Sequence, residues 1–281
     1  MDRELVLLVL GSVTLGPLLL LAGIRRSVQA EASSACRLER DCWRRLWAPL
    51  LPSAIVVGAL VGWALIEPDD AERLPLPLIL IGAPCVLVWV RAVARAIWGL
   101  RRASSVATAA TVGVFRARVV ITPAFWRSID DLARRAVRAH EHAHVRHRDP
   151  LRVWVAQLAT DLQWPGRGAN HRFAEWRRAL ELARDEEVRR EGVDGADLAA
   201  AVIAALRFST ANASPAVSIV GGHHGVRDRI ARLLASLPAA HDESTPSRSW
   251  RALTIAAPLG AVLFGASFGE AIVRALVHTI R

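Results

Sequence analysis

Hydrophobic residues are concentrated in four blocks of the chain, at about 5–24, 46–66, 74–90 and 252–269, and none of these blocks contains an internal charge. The first block has about 20 residues, which at about 1.5 Å of rise per residue is enough for a helix to cross about 30 Å of hydrocarbon. Tryptophan residues lie at or near the ends of the other three, as is typical of interfacial anchors. The pattern predicts four transmembrane helices, with a polar stretch of about 150 residues between the third and the fourth.

The polar stretch has its own pattern of predicted elements. Segment 112–122 has β-branched residues with partial alternation, which predicts a strand or hairpin that ends before Pro123. Three helices follow: the first begins after Ser128 as its N-cap, and the others lie at about 149–162 and 170–190. We therefore expect a mainly α chain whose polar domain is α+β.

Charge along the chain predicts how the spans are oriented. All 36 basic residues are arginine and the formal net charge is +10. Arginine is concentrated at 25–45 and again after the third span, whereas the loop at 67–73 is acidic. The positive-inside rule then puts the N-terminus outside and the polar domain in the cytoplasm, at the bacterial plasma membrane. The predicted domains are 1–102 with three spans and a basic loop, 103–250 in the cytoplasm, and 251–281 with the fourth span and a short tail.

Composition limits the other classes of function. An arginine-rich chain can bind nucleic acid, but topological retention is the commoner cause in a multi-spanning protein, so direct nucleic-acid binding is not expected. The three cysteines match no C-x-x-C spacing, which fits a reducing compartment and indicates no cysteine metal ligand.

The first helix of the polar domain carries the sequence His140-Glu141-x-x-His144. Residues four apart on a helix project from one face, so both imidazoles can bind one metal ion with Glu141 beside them. This is the zincin arrangement, in which zinc activates a water molecule and Glu141 is the general base. With 9 histidines in 281 residues, about 0.01 such motifs are expected by chance. A merely histidine-rich helix is the alternative, because the string AHEHAHVRH clusters histidines.

A catalytic zinc needs a third protein ligand and an open position. His147 is on the same helix face, but it is seven residues from His140, about 10.5 Å of rise, which is too far to share one ion. The ligand must come from another helix. On the helix at 170–190, Glu181 and Asp185 are four apart and share a face; Glu175, Glu186 and Glu187 stay open as competitors, and a solvated charged face is the alternative to all of them.

These residues resemble the BlaR/MecR-type membrane metallopeptidases, antibiotic-sensing regulators and their relatives. The resemblance covers most of the chain: H-E-x-x-H continues to Asp149, Glu181–Glu186 reads E-L-A-x-D-E, and three spans precede the peptidase domain with one after it. It implies a gluzincin site in a cytoplasmic, zincin-like metallopeptidase domain. In that site the zinc ligands would be His140, His144 and Glu181, with Glu141 as base and Asp185 orienting a ligand.

The sequence departs from the family pattern at two places. Arg184 stands where the family usually has cysteine, a position that is not a ligand. The sequence given ends at Arg281 without a penicillin-binding sensor domain, so direct antibiotic sensing through such a domain is not expected. The stretch Arg227–Leu233 is similar to the family's R-I-x-x-L segment, for which a packing helix is the favoured interpretation.

Tyrosine is absent from the chain, although zincins often use a tyrosine or histidine donor to stabilise the oxyanion. The predicted candidates for this role are His223, His224 and Arg227. A plain flexible turn is the alternative interpretation of the Gly-Gly-His-His-Gly segment that contains the two histidines.

Regulatory proteolysis at the cytoplasmic membrane face is the predicted function. The predicted partners are the lipid bilayer and a protein or peptide substrate, and the resemblance implies a winged-helix repressor or the enzyme itself as that substrate. A second copy of the chain, as a homodimer, is a further candidate partner. The alternatives are a quality-control membrane protease of the HtpX/Ste24 type and a non-catalytic membrane adaptor that binds no zinc.

Overall fold

The structure is a computed structural model that describes residues 34–51, 54, 55, 58, 59, 62, 76–101, 108–164, 166–212, 223–237, 259–263 and 267. Its elements follow in chain order: α1 (Ala35–Trp47), a short 3-10 helix (Ala48–Leu50), α2 (Leu76–Arg101), β1 (Ala109–Val112), β2 (Arg118–Ile121), α3 (Pro123–Ser128), α4 (Asp131–Arg146), α5 (Asp149–Leu162), α6 (Arg167–Arg190), α7 (Gly195–Asn212) and α8 (His223–Leu234).

The predicted architecture of four transmembrane helices is wrong. No helix in the described part of the chain is both long enough and apolar enough to cross a bilayer. The predicted third span lies in α2, whose uncharged part from Leu76 to Val90 rises only about 22 Å, short of the hydrocarbon thickness of about 30 Å. The helix then continues through Arg91 and Arg95, which pair with Asp161 of α5 at 3.3 and 3.0 Å.

The other predicted spans can be placed only in part. The first, at 5–24, lies outside the described residues, as do about half of 46–66 and most of 252–269. What the structure describes is a mainly helical chain with one β-hairpin. The predicted domain boundaries and location stay predictions.

The predicted strand or hairpin at 112–122 is an antiparallel hairpin that starts three residues earlier. Ala109 pairs with Ile121 and Val112 with Arg118. The connection turns at Gly113, whose φ of +96° is a left-handed conformation, and a Cβ there would lie 2.3 Å from the carbonyl oxygen of Arg116. The hairpin therefore needs glycine at this position.

Helix α4 begins at a different cap from the predicted one. The side chain of Asp130 accepts a hydrogen bond from the backbone N–H of Ala133 at 2.8 Å, and Asp131 is in the first turn. Ser128 instead ends α3, where its hydroxyl donates to the carbonyl of Phe125. Both residues are good N-caps in isolation, and the short helix that begins at Pro123 decides between them.

Two hydrophobic clusters fix the helices around α4 and α6. Cluster A joins α3 and α4 to α6, α7 and α8 through Phe125, Ile129, Ala133, Ala136, Val137, Ala143, Val188, Leu198, Ala199, Ala201 and Leu233. Cluster B joins α1, α5 and α6 through Leu38, Cys42, Leu46, Ala156, Trp176, Ala179 and Leu180. Both clusters contain alanines of α4 or α6, whose small side chains let neighbouring helix backbones approach closely. Helices α4 and α6 are therefore held close to each other.

We expect Phe125→Ala to lower the free energy of unfolding by about 3–5 kcal/mol, because it empties the site of a fully buried ring. Phe125 is 0% exposed and packs edge-on against Phe208 with ring centroids 5.5 Å apart. Phe115→Ala is the matched control, since that ring is 74% exposed in the hairpin connection. Urea denaturation measures both variants, and equal stabilities would contradict the core assignment.

Candidate metal centre

His140, Glu141 and His144 lie on the face of α4 that turns toward α6. All three side chains are buried, with 8% or 9% of each residue exposed. The Nε2 atoms of His140 and His144 are 3.0 Å apart, and the two rings meet edge to face. The i, i+4 spacing therefore aims both imidazoles at one point.

Glu181 of α6 brings a carboxylate to the same point. Its Oε2 is 3.4 Å from His140 Nε2, and its Oε1 is 3.8 Å from His144 Nε2. The ligand atoms of these three residues all lie within 4.8 Å of one another. Ligands about 2.0–2.1 Å from a tetrahedral zinc would be about 3.3 Å apart, so both the donor set and its spacing fit zinc.

Each imidazole is held from behind by a carboxylate. Asp149 Oδ2 is 2.8 Å from His144 Nδ1, and Asp185 Oδ1 is 3.0 Å from His140 Nδ1. A carboxylate there favours the proton on Nδ1 and directs the Nε2 lone pair to the metal position. Asp185 is thus placed where a ligand-orienting residue must be. Asp149 fulfils the same condition for His144, although its sequence position suggested only a helix start.

The residues that competed with Glu181 in the sequence have partners elsewhere. Glu175 pairs with His171, and Glu186 with Arg190. Glu187 accepts from Arg146 and Arg184, and it also pairs with His147, whose side chain is 44% exposed. None of these side chains belongs to the described group of metal-ligating atoms.

Arg184, at the position where the resemblance implies a cysteine, contacts Asp149 on the side away from His144 Nε2. Its Nε donates to Asp149 Oδ2 at 2.7 Å, and its NH1 donates to Glu187. The side chain is only 6% exposed. Arg184 therefore compensates the charge of the carboxylate that contacts His144 Nδ1, a role that the sequence did not indicate.

Arg229 of α8 is a cation that contacts two carboxylates of the centre, those of Asp185 and Glu181. It donates to both oxygens of Asp185, at 2.5 and 2.8 Å, and its NH1 is 3.0 Å from Glu181 Oε2. Its NH2 is 3.2 Å from His140 Nε2. Sequence reasoning missed this residue, although Arg229 and Ile230 open the R-I-x-x-L segment that could have indicated it.

The three predicted oxyanion donors, His223, His224 and Arg227, belong to α8. Arg227 is exposed on α8 and does not line the cavity at the metal centre, whereas Val226 and Arg229 do. Helix α8 begins at His223, but the side chains of His223 and His224 lie outside the described residues. The role of the two histidines stays a prediction.

The electrostatics of the centre favour a bound cation. Burial and the charge of Arg229 lower the pKa of His140, but Asp185 and Glu181 outweigh them and raise that pKa to about 9. Burial raises the pKa of Asp149, whereas His144 and Arg184 lower it to about 2. Glu181 keeps a carboxylate pKa well below its usual range, because Arg229 and the imidazoles overcome the effect of desolvation. Carboxylates that stabilise a proton on an imidazole in this way also stabilise a metal ion.

Glu141 is held by the hairpin. The hydroxyl of Thr111 on β1 lies 2.8 Å from Glu141 Oε2 and 2.9 Å from the Glu141 carbonyl oxygen. This contact joins two separate elements, β1 and α4, so helix periodicity could not indicate it. Its signal, a threonine in a predicted strand, is too common to single it out.

A cavity of about 1150 Å³ opens onto the metal centre. Residues 108–114, which include β1, line one part of the cavity, and His140, Glu141, His144 and Glu181 line another. Apolar side chains of α7 complete the lining, among them Leu198, Ala201, Val202 and Ala205. A cavity of this size can hold several residues of an extended peptide beside the metal position.

Comparison with known proteins places this centre in a family. The family model described as BlaR1 peptidase M56 matches residues 91–233, about half of the chain, and this segment contains every site residue described above. No match was found among the curated proteins or among the solved structures. M56 peptidases are metallopeptidases, and the group formed by His140, His144 and Glu181 is able to hold the metal. The chain therefore belongs to the BlaR1 peptidase family, M56, and is a peptidase.

Proposed function

We propose that the protein is a zinc-dependent endopeptidase of the gluzincin type. The zinc ligands are His140, His144 and Glu181, and Glu141 is the general base. The observation that carries the proposal is the convergence of these four side chains from two helices in the lining of a cavity. Two imidazoles, one carboxylate and an open side are the ligand set of catalytic zinc rather than of structural zinc.

Zinc in this position supplies Lewis acidity, which polarises the scissile carbonyl and lowers the pKa of water. Glu141 accepts the proton of the attacking water and delivers it to the nitrogen of the leaving amine. Thr111 holds Oε2 of that carboxylate, which leaves Oε1 to receive the proton. Asp149 and Asp185 keep the two imidazoles oriented while charge builds up at the centre.

The substrate binds as an added strand on β1. The backbone N–H of Thr122 donates to the carbonyl of Thr108. Because hydrogen-bonded pairs alternate along an antiparallel ladder, the backbone N–H and C=O groups of residues 108, 110 and 112 point toward β2. The N–H and C=O groups of Ala109 and Thr111 then point away from β2. In the described part of the chain β1 pairs only with β2, so this edge is available to a peptide.

The substrate is a protein, and we propose regulated proteolysis of a repressor-like protein or of the enzyme itself. Membership of the BlaR1 peptidase family supports this choice. A quality-control protease would instead cleave many unfolded proteins. A non-catalytic adaptor would bind no zinc, and it would have no need of a buried Glu141 beside two imidazoles.

We expect Glu141→Gln to lower cleavage at least about 100-fold while zinc stays bound, because the variant loses the proton acceptor but none of the ligands. Zinc content is measured in the purified full-length protein, and cleavage is measured by self-cleavage and by hydrolysis of fluorescein-labelled casein. Glu175→Gln is the matched control: it makes the same change on a side chain that is 39% exposed and paired with His171.

Two outcomes would contradict the peptidase proposal. If the purified wild-type protein contains no stoichiometric zinc, the assignment of a zinc site is wrong. If zinc-loaded Glu141→Gln cleaves as fast as Glu175→Gln, Glu141 is not the general base.

Thr111→Val should lower kcat about tenfold with little change in KM, because a carboxylate that is misplaced by a fraction of an ångström transfers protons poorly. Valine keeps the shape and the strand propensity of threonine. Thr111→Ser retains the hydroxyl and should restore most of kcat. The rates are measured on a quenched fluorescent peptide taken from a casein cleavage site, and equal rates for the valine and serine variants would show that the hydroxyl does not act.

Ala109→Pro should raise KM for the same peptide about threefold to tenfold, since it removes one outward N–H and one backbone hydrogen bond contributes about 0.5–1.5 kcal/mol. Its thermal stability should stay close to that of the wild type, because proline is tolerated where the N–H points away from the ladder. Ala110→Pro removes an inward N–H and should instead lower the melting temperature. A wild-type KM for Ala109→Pro would exclude strand addition at this edge.

A further inference from the structure

Helix α1 packs against the back of the metal centre, although it lies outside the segment 91–233 that matches the family. Its residues Leu38, Cys42 and Leu46 belong to cluster B, together with Trp176 and Leu180 of α6. Leu180 directly precedes the zinc ligand Glu181. The position of α1 is therefore tied to the helix that supplies the third ligand.

The buried face of α1 also contains a carboxylate. Glu39 is only 5% exposed, and Trp176 donates its indole N–H to Glu39 Oε1 at 2.8 Å. NH2 of Arg152 on α5 forms an ion pair with the same oxygen. A buried carboxylate is costly unless it is paired, so these two donors fix Glu39, and Glu39 in turn fixes Arg152.

Arg152 leads from Glu39 to the metal centre. Its NH1 is 3.1 Å from Asp149 Oδ1, and the other oxygen of Asp149 accepts from His144 Nδ1 at 2.8 Å. The guanidinium also lies over the rings of Trp43 and Trp176, at 5.2 and 5.7 Å from their centroids. An unbroken series of polar contacts therefore runs from α1 through α5 to a zinc ligand.

We propose that Glu39 is a positioning residue for the metal ligand His144, acting through Arg152 and Asp149, so that α1 is part of the metal centre. This inference rests on the proposed function, since it requires that His144 bind zinc. Glu39 holds one nitrogen of Arg152, which restricts Arg152 to a single contact with Asp149 Oδ1. Without that restraint both nitrogens turn to Asp149, compete with His144 for its oxygens, and weaken the orientation of the imidazole.

The test compares zinc affinity in full-length Glu39→Gln and Asp41→Asn by competition with a chromophoric chelator. Both variants remove one negative charge from α1, but the side chain of Asp41 is 43% exposed and pairs with Arg44 on the same helix. Direct partners of metal ligands change affinity about 10–100-fold, so Glu39, one contact further out, should weaken zinc binding about threefold to tenfold. Asp41→Asn should bind zinc as the wild type does.

A double-mutant cycle separates positioning from a general loss of stability. In the background of Asp149→Asn, the effect of Glu39→Gln on zinc affinity should largely disappear, because both changes act on the same contact with His144. An unchanged effect in that background would overturn the route through Asp149. If circular dichroism shows that Glu39→Gln does not fold, Glu39→Asp replaces it, and its shortened carboxylate should still weaken zinc binding relative to Asp41→Asn.

The failure of this inference differs from the failure of the proposed function. Wild-type protein that binds no zinc overturns both. Wild-type protein that binds zinc, with Glu39→Gln and Asp41→Asn of equal affinity, overturns the role of Glu39 alone.

Discussion

Three buried carboxylates, Glu141, Asp149 and Asp185, lie around the two imidazoles of the candidate metal centre, and each is less than 10% exposed. Charge of this density in a packed interior is stable only where every acid has a partner. The partners come from different elements: a strand hydroxyl for Glu141, arginines of α5 and α6 for Asp149, and an arginine of α8 for Asp185. The need to compensate this charge therefore determines which faces of the helices must meet, and the alanine-rich packing of α4 and α6 lets them meet closely.

The candidate site residues that the sequence alone singles out are those whose positions are related by one helix. His140, Glu141 and His144 follow from periodicity alone, whereas Glu181 stood among four acids until the family resemblance favoured it. Arg229 shows why the remainder could not be predicted. It lies two positions from the predicted Arg227, and at about 100° per residue the two side chains differ by about 200° around α8. Which of them faces inward is set by the packing of α8 on its neighbours, which a sequence pattern does not specify.

The predicted fold class with four spans is wrong, and only individual elements of the polar stretch lie where they were expected. The hairpin and the helices of the polar domain appear within a few residues of their expected bounds, and the cap of α4 moved from Ser128 to Asp130 because a short helix intervenes. The error in the third predicted span has a tertiary cause. Hydropathy ended that segment at Val90, but the helix continues and its arginines pair with Asp161 of α5. The second half of α2 is therefore held against α5 by the ion pairs of Arg91 and Arg95 with Asp161.

Arg184 contributes to the charge around Asp149 at a position where the resemblance implies a cysteine. Its guanidinium and that of Arg152 both pair with Asp149, which also accepts from His144. The same contacts hold both oxygens of Asp149 from separate directions, which leaves the carboxylate little freedom to rotate. The arginines therefore fix the orientation of the Asp149 carboxylate and, through its contact with Nδ1, that of the His144 ring.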